Sequence, residues 1–99
     1  MAKEIKWIKT AERNFAKTVE YLINNWPAKV VTDFVTRTDQ ILFLLAEHPD
    51  LGEMQDAKRS IRGMLLSPHN KLFYRIENNR LIVLKIFDTR QNPLKLRFR

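Results

Sequence analysis

Cysteine is absent from this 99-residue chain, which excludes disulfides and thiolate zinc sites. Glycine occurs only at Gly52 and Gly63. That leaves no glycine-rich loop whose backbone could cradle a nucleotide phosphate. The two histidines, His48 and His69, fall in different predicted elements with no Asp or Glu gathered around them. No metal or other cofactor is therefore expected. Ser60 and Ser67 are the only serines, and His69 near Ser67 lies in a turn, so no nucleophile–His–acid set is apparent. No apolar run approaches the ~20 residues of a membrane span. The N-terminus, MAKEIKWIKT, lacks the apolar segment of a signal peptide, and a cytoplasmic protein is the expectation.

What is abundant is positive charge. Eighteen Lys and Arg face eleven Asp and Glu, a net charge of +7 and a pI near 10.1. Such a balance favours a polyanionic partner, either a nucleic acid or an acidic protein segment. The length suits one domain spanning residues 1–99, near the lower size at which a core sustains a fold without staples.

Glu4 to Ile8 alternates as a short strand, Ile5 and Trp7 on one side, Lys6 and Ile8 on the other. Thr10 is the expected N-cap of a first helix with Glu12 in its first turn. Phe15, Val19, Leu22, Ile23 and Trp26 form that helix's apolar stripe, predicted to be core. Pro27 suits the first turn of a second helix, whose stripe runs Val31, Phe34, Val35, Thr38, Ile41, Leu42 and Leu45 and stops at Pro49. The short connection predicts an antiparallel helical hairpin. Asp50 to Lys58 shows neither period and reads as a loop.

Three strand-like runs follow between Arg59 and Pro93. Ser67-Pro68-His69-Asn70 separates the first two, and Asn78-Asn79 marks a two-residue hairpin between the second and third. That turn sets Glu77 opposite Arg80 and Tyr74 opposite Val83. Strict alternation then places Phe73, Arg75, Ile82, Leu84 and Ile86 on one face. Leu72, Tyr74, Ile76, Val83, Lys85 and Phe87 share the other. The resulting order, β-α-α-β-β-β, is an α+β fold: a helical hairpin on a small, mainly antiparallel sheet.

Cations are interleaved with aromatics along this sheet, among them Arg62, Lys71, Arg75, Lys85 and Arg90 beside Phe73, Tyr74 and Phe87. Such a mixture suits nucleic-acid contact, or support of the charged state formed when a 2′-hydroxyl attacks its phosphodiester. Cleavage would also need a proton acceptor and donor, for which Tyr74 and His69 are the uncharged candidates nearby. The competing reading makes Tyr74 a core residue and leaves the arginines on a solvated face or paired with Glu77 and Asp88. Charge alone also fits a plain nucleic-acid-binding module.

These pieces occur in a particular order: W-x-x-x-A (Trp7, Ala11), H-P (His48, Pro49), I-R-G (Ile61 to Gly63), L-F-Y-R-I (Leu72 to Ile76), L-I-V-L-K-I-F-D (Leu81 to Asp88) and T-R-Q-N-P (Thr89 to Pro93). In this order the chain resembles the RelE/ParE superfamily, the toxins of bacterial type II toxin–antitoxin modules, also known as plasmid stabilisation proteins. The resemblance implies a cytoplasmic toxin in a hetero-oligomer with a cognate antitoxin. The antitoxin's acidic, amphipathic C-terminal segment would use the groove beside the helical hairpin and the sheet.

Two functional branches are implied. In ribosome-dependent messenger-RNA endonucleases the matching cationic positions are Arg62, Lys71 (often Arg in that branch) and, with a one-residue gap, Arg90. These are the candidate catalytic residues. That branch commonly adds a Tyr or a His-Tyr pair after the last arginine, and the tail from Gln91 to Arg99 contains neither type. The other branch, resembling ParE, inhibits DNA gyrase and needs no such group. The missing proton-transfer residue turns the reading toward the gyrase branch, with the endonuclease as the alternative.

Overall fold

The Asn78-Asn79 turn forms as its sequence demands, both residues adopting positive φ, 51° and 59°. Asn tolerates this left-handed region, and two such residues in succession match the natural twist of a hairpin. In the computed structural model, which describes residues 3–91 and Leu96, this turn joins β4 (Asn70–Glu77) to β5 (Arg80–Asp88). Glu77 pairs with Arg80 and Tyr74 with Val83. The remaining elements are β1 (Glu4–Trp7), α1 (Lys9–Asn25), α2 (Ala28–Glu47), β2 (Glu53–Asp56) and β3 (Ile61–Ser67). The sheet order is β1-β5-β4-β3-β2, with β1 parallel to β5 and the other neighbours antiparallel. This is the expected α+β architecture with one more strand.

That strand corrects the expectation of a loop over Asp50 to Lys58. Glu53–Asp56 pairs with β3 at the sheet edge. Its sequence, EMQD, shows no apolar alternation because it is largely exposed on both faces. Only the neighbouring strand's unpaired backbone groups recruit it. The helix start is also corrected. Thr10 lies inside α1, and Ile8, in extended conformation, occupies the N-cap without a side-chain cap. The Ile8 N–H instead completes the sheet by donating to the Val83 carbonyl at 3.2 Å. Pro27 takes the N-cap of α2, one position before its first turn.

The helices cover one face of the sheet. Ala11, Phe34, Leu42 and Leu45 meet Leu66, Leu72, Tyr74, Leu81, Val83 and Ile86 in a buried cluster. Phe15 fastens the layers, edge-on to Trp7 at 5.3 Å and stacked on Phe34 at 5.6 Å between ring centres. Thr38, a buried polar side chain in this core, donates its hydroxyl to the Phe34 carbonyl at 2.8 Å and so adds no unpaired group. The opposite face holds a smaller cluster, Ile61, Phe73 and Leu84, with Ile82, Phe87 and Leu96 packed against it.

Strict alternation fails along β5. Phe73 pairs with Lys85 and Tyr74 with Val83, so Leu84 is an extra residue in the strand. Such a bulge reverses the alternation beyond it. Ile86 joins the helical face, and Lys85 and Phe87 move to the opposite one, exchanging the expected sides. The bulge falls where the β1 ladder ends, at the Trp7–Val83 pair. Beyond that point Asn14 of α1 accepts the Ile86 N–H at 3.2 Å. Among the described residues, no helix is long and apolar enough to cross a membrane.

Candidate functional site

The predicted core stripe of α1 divides in the structure. Phe15, Val19 and Leu22 pack inward, whereas Ile23 and Trp26 are 61% and 53% exposed. The periodicity that marks an apolar helical face does not reveal where the sheet beneath it ends. Tyr21 and Val30 are exposed as well, so the connecting end of the hairpin presents apolar and aromatic side chains to solvent. Scattered apolar exposure is ordinary, but a contiguous patch marks an interaction surface.

Beside this patch lies a groove of about 570 Å³ between α1, the β3–β4 turn and the exit of β5. Leu22, Trp26 and Ile86 give it an apolar floor and wall, while Lys17, His69 and Arg90 supply polar rims. Among its described lining residues the one carboxylate, Asp88, is matched. Arg90 Nη2 and Nε donate to the two Asp88 oxygens at 2.8 and 3.0 Å, and the Arg90 N–H adds a third bond at 2.9 Å. These bonds hold the Asp88 carboxyl below its ordinary range, against the opposing effect of burial.

The three candidate catalytic cations have different surroundings. Arg62 pairs with Tyr74 in the β3–β4 register and shares the helical face with it. Its guanidinium serves the loop after α2, donating to the Gly52 carbonyl at 2.8 Å and the Asp50 carbonyl at 3.2 Å, with the Asp50 carboxylate at 3.6 Å. Lys71 projects from the opposite face, its ammonium 5.7 Å from the centre of the Phe73 ring. Arg90 lies in the groove, committed to Asp88. A phosphate held at Arg62 is out of reach of Lys71, because the sheet itself separates the two.

Tyr74 is fully buried. Its hydroxyl donates to the Pro49 carbonyl at 2.6 Å and accepts the Gly52 N–H at 3.0 Å. Burial raises its pKa, the bond from Gly52 acting the other way. It is therefore a core residue, as the competing reading has it, and its hydroxyl also locks the α2–β2 connection. His69 lies at the groove rim. Among the described residues no group of His, Asp or Glu could hold a metal ion.

The profile of ParE toxins of type II toxin–antitoxin systems, parDE, matches residues 5–93, and the chain belongs to that family. No curated protein sequence matches it. Solved structures share the fold at low identity. The chromosomal ParDE system of P. aeruginosa superposes with a TM-score of 0.72 at 12% identity, covering 88% of this chain and 96% of that one. The YoeB–YefM complex of Staphylococcus aureus gives 0.62 at 13%, covering 88% and 97%. The RelBE2 toxin–antitoxin complex of Mycobacterium tuberculosis gives 0.60 at 16%, covering 89% and 99%.

Proposed function

We propose that this toxin acts as a non-enzymatic poison of DNA gyrase and is neutralised by an antitoxin whose acidic, amphipathic segment occupies the groove. The observation that carries the reading is the different surroundings of Arg62, Lys71 and Arg90. Catalysis of RNA cleavage calls for cations gathered on one phosphate, with a proton donor and acceptor in reach. Here one cation braces a loop, one lies over a ring on the far face and one is held by Asp88. The ParE family match supports the same branch.

The groove supports the antitoxin half. Its aromatic, half-exposed wall at Tyr21 and Trp26 is the kind of surface that anchors a partner helix. The test combines purified toxin, gyrase and relaxed plasmid. Loss of supercoiling, relieved by the antitoxin, is the expected result. Undisturbed gyrase together with new transcript 5′ ends inside translated codons, lost when translation is blocked, would overturn it in favour of the endonuclease.

A further inference from the structure

The two ends of the helical hairpin differ in charge. Residues 38–57, from the middle of α2 to just past β2, hold five of the eleven Asp and Glu and none of the eighteen Lys and Arg. This acidic stretch also exposes three large apolar side chains, Phe43, Leu44 and Leu51. Backbone bonds keep Leu44 and Leu51 near one another. The His48 N–H donates to the Leu44 carbonyl at 2.8 Å, and the Leu51 N–H to the His48 carbonyl at 3.1 Å. Beside Leu51 the Asp50 side chain is 94% exposed, with the Arg62 guanidinium 3.6 Å away. The Glu47 and Glu53 carboxylates have no ion-pair partner among the described residues. The turn after α2 is therefore a corner that presents a leucine and carboxylates together to solvent.

The groove at the connecting end of the hairpin has the converse character. Leu22, Trp26 and Ile86 give it apolar surface, and Lys17, His69 and Arg90 stand on its rim. Lys17 is exposed and has no ion-pair partner among the described residues. An apolar side chain next to a carboxylate complements both parts of such a surface. The corner cannot fill the groove of its own chain. From Val30, which lines the groove, to Glu47 the α2 helix rises roughly 25 Å. We propose that the groove of one copy receives the Asp50–Leu51 corner of a second copy of this chain. In this contact Leu51 meets the Trp26 wall and Asp50 faces Lys17. The corner then competes with the antitoxin segment for one groove, so this contact rests on the reading of that groove as a docking surface.

The test contains neither antitoxin nor gyrase. Sedimentation velocity of the purified chain is followed over increasing concentration. The corner variant Asp50→Asn/Leu51→Ser and the groove variant Lys17→Glu/Trp26→Ser change exposed residues only, and each should weaken self-association about tenfold or more. Mixed in equal amounts at a concentration where each alone is a single chain, they should form a pair, because the first keeps an intact groove and the second an intact corner. A contact between two like surfaces cannot give that result. Leu65→Ser removes an exposed apolar side chain from the opposite face of the sheet and should leave association unchanged. Thermal unfolding of each variant separates lost contact from lost fold.

A wild-type chain that stays single at every concentration would overturn the proposal. So would a mixture of the two variants that forms no pair, or an equal loss from Leu65→Ser. Calorimetry of antitoxin binding to the same preparation keeps the two readings apart. A chain that binds antitoxin in the groove yet never self-associates refutes the corner contact alone.

Discussion

The Tyr74 hydroxyl reaches out of the core to the Pro49 carbonyl at 2.6 Å, tying the central strand to the end of α2. The same oxygen accepts the Gly52 N–H, so one side chain fixes both ends of the turn that leads into β2. Tyr74→Phe leaves that carbonyl and that N–H without partners, at a cost of about 1–3 kcal/mol. Urea denaturation measures it, and an unchanged midpoint would remove the lock. The raised pKa of buried Tyr74 adds a pH signature. Between the unfolded and folded values the unfolded chain holds fewer protons, so stability falls as pH rises past about 10. Tyr74→Phe should flatten that alkaline decline.

Gly52 lies against the same ring. A Cβ there would fall 2.7 Å from Tyr74 Cε1, a contact that a buried ring cannot easily relieve. Gly52→Ala should destabilise by about 1–3 kcal/mol through overpacking. An unperturbed thermal midpoint would show that the turn yields instead.

Phe34 and Trp26 separate fold from recognition. Phe34 is buried and stacked on Phe15, and Phe34→Ala should cost about 3–5 kcal/mol. Trp26 is more than half exposed. Trp26→Ala should change stability by no more than about 0.5 kcal/mol while weakening antitoxin binding by about 2 kcal/mol or more, as an anchor residue does. Calorimetry of binding beside thermal melts distinguishes the two. Equal antitoxin affinity for Trp26→Ala would remove the groove wall from the interface.

Arg90 distinguishes the two functional branches. Arg90→Ala should leave growth arrest intact if gyrase is the target and abolish it if the chain cleaves RNA. In the same variant the Asp88 carboxyl loses the bonds that depress its pKa, so its titration, followed by NMR, should move to higher pH. The sign follows from the depressed folded value. The pair's stabilising contribution is present above the ordinary Asp range and is lost as pH falls through the folded pKa. An unshifted Asp88 titration would show the ion pair to be absent in solution.

The sequence by itself determined the elements whose signals are local. Alternation and the Asn78-Asn79 turn set the β4–β5 register down to the Tyr74–Val83 pair, because backbone preference and side-chain period agree there. Helical spacing and Pro27 gave the hairpin its two helices. Tertiary structure decided the rest. β2 is a strand only because β3 offers an edge to pair with. The bulge at Leu84 exchanges the faces of Lys85 and Ile86, and the exposure of Ile23 and Trp26 depends on how far the sheet extends beneath α1. The candidate site was legible as a set of residue types and not as a place. The pairing of Arg90 with Asp88, two residues away, is local and was open to sequence reading. Strand pairing, however, puts Arg62 and Lys71 on opposite faces and brings Arg62 to the loop after α2, and a linear pattern of charges does not say which face each cation takes.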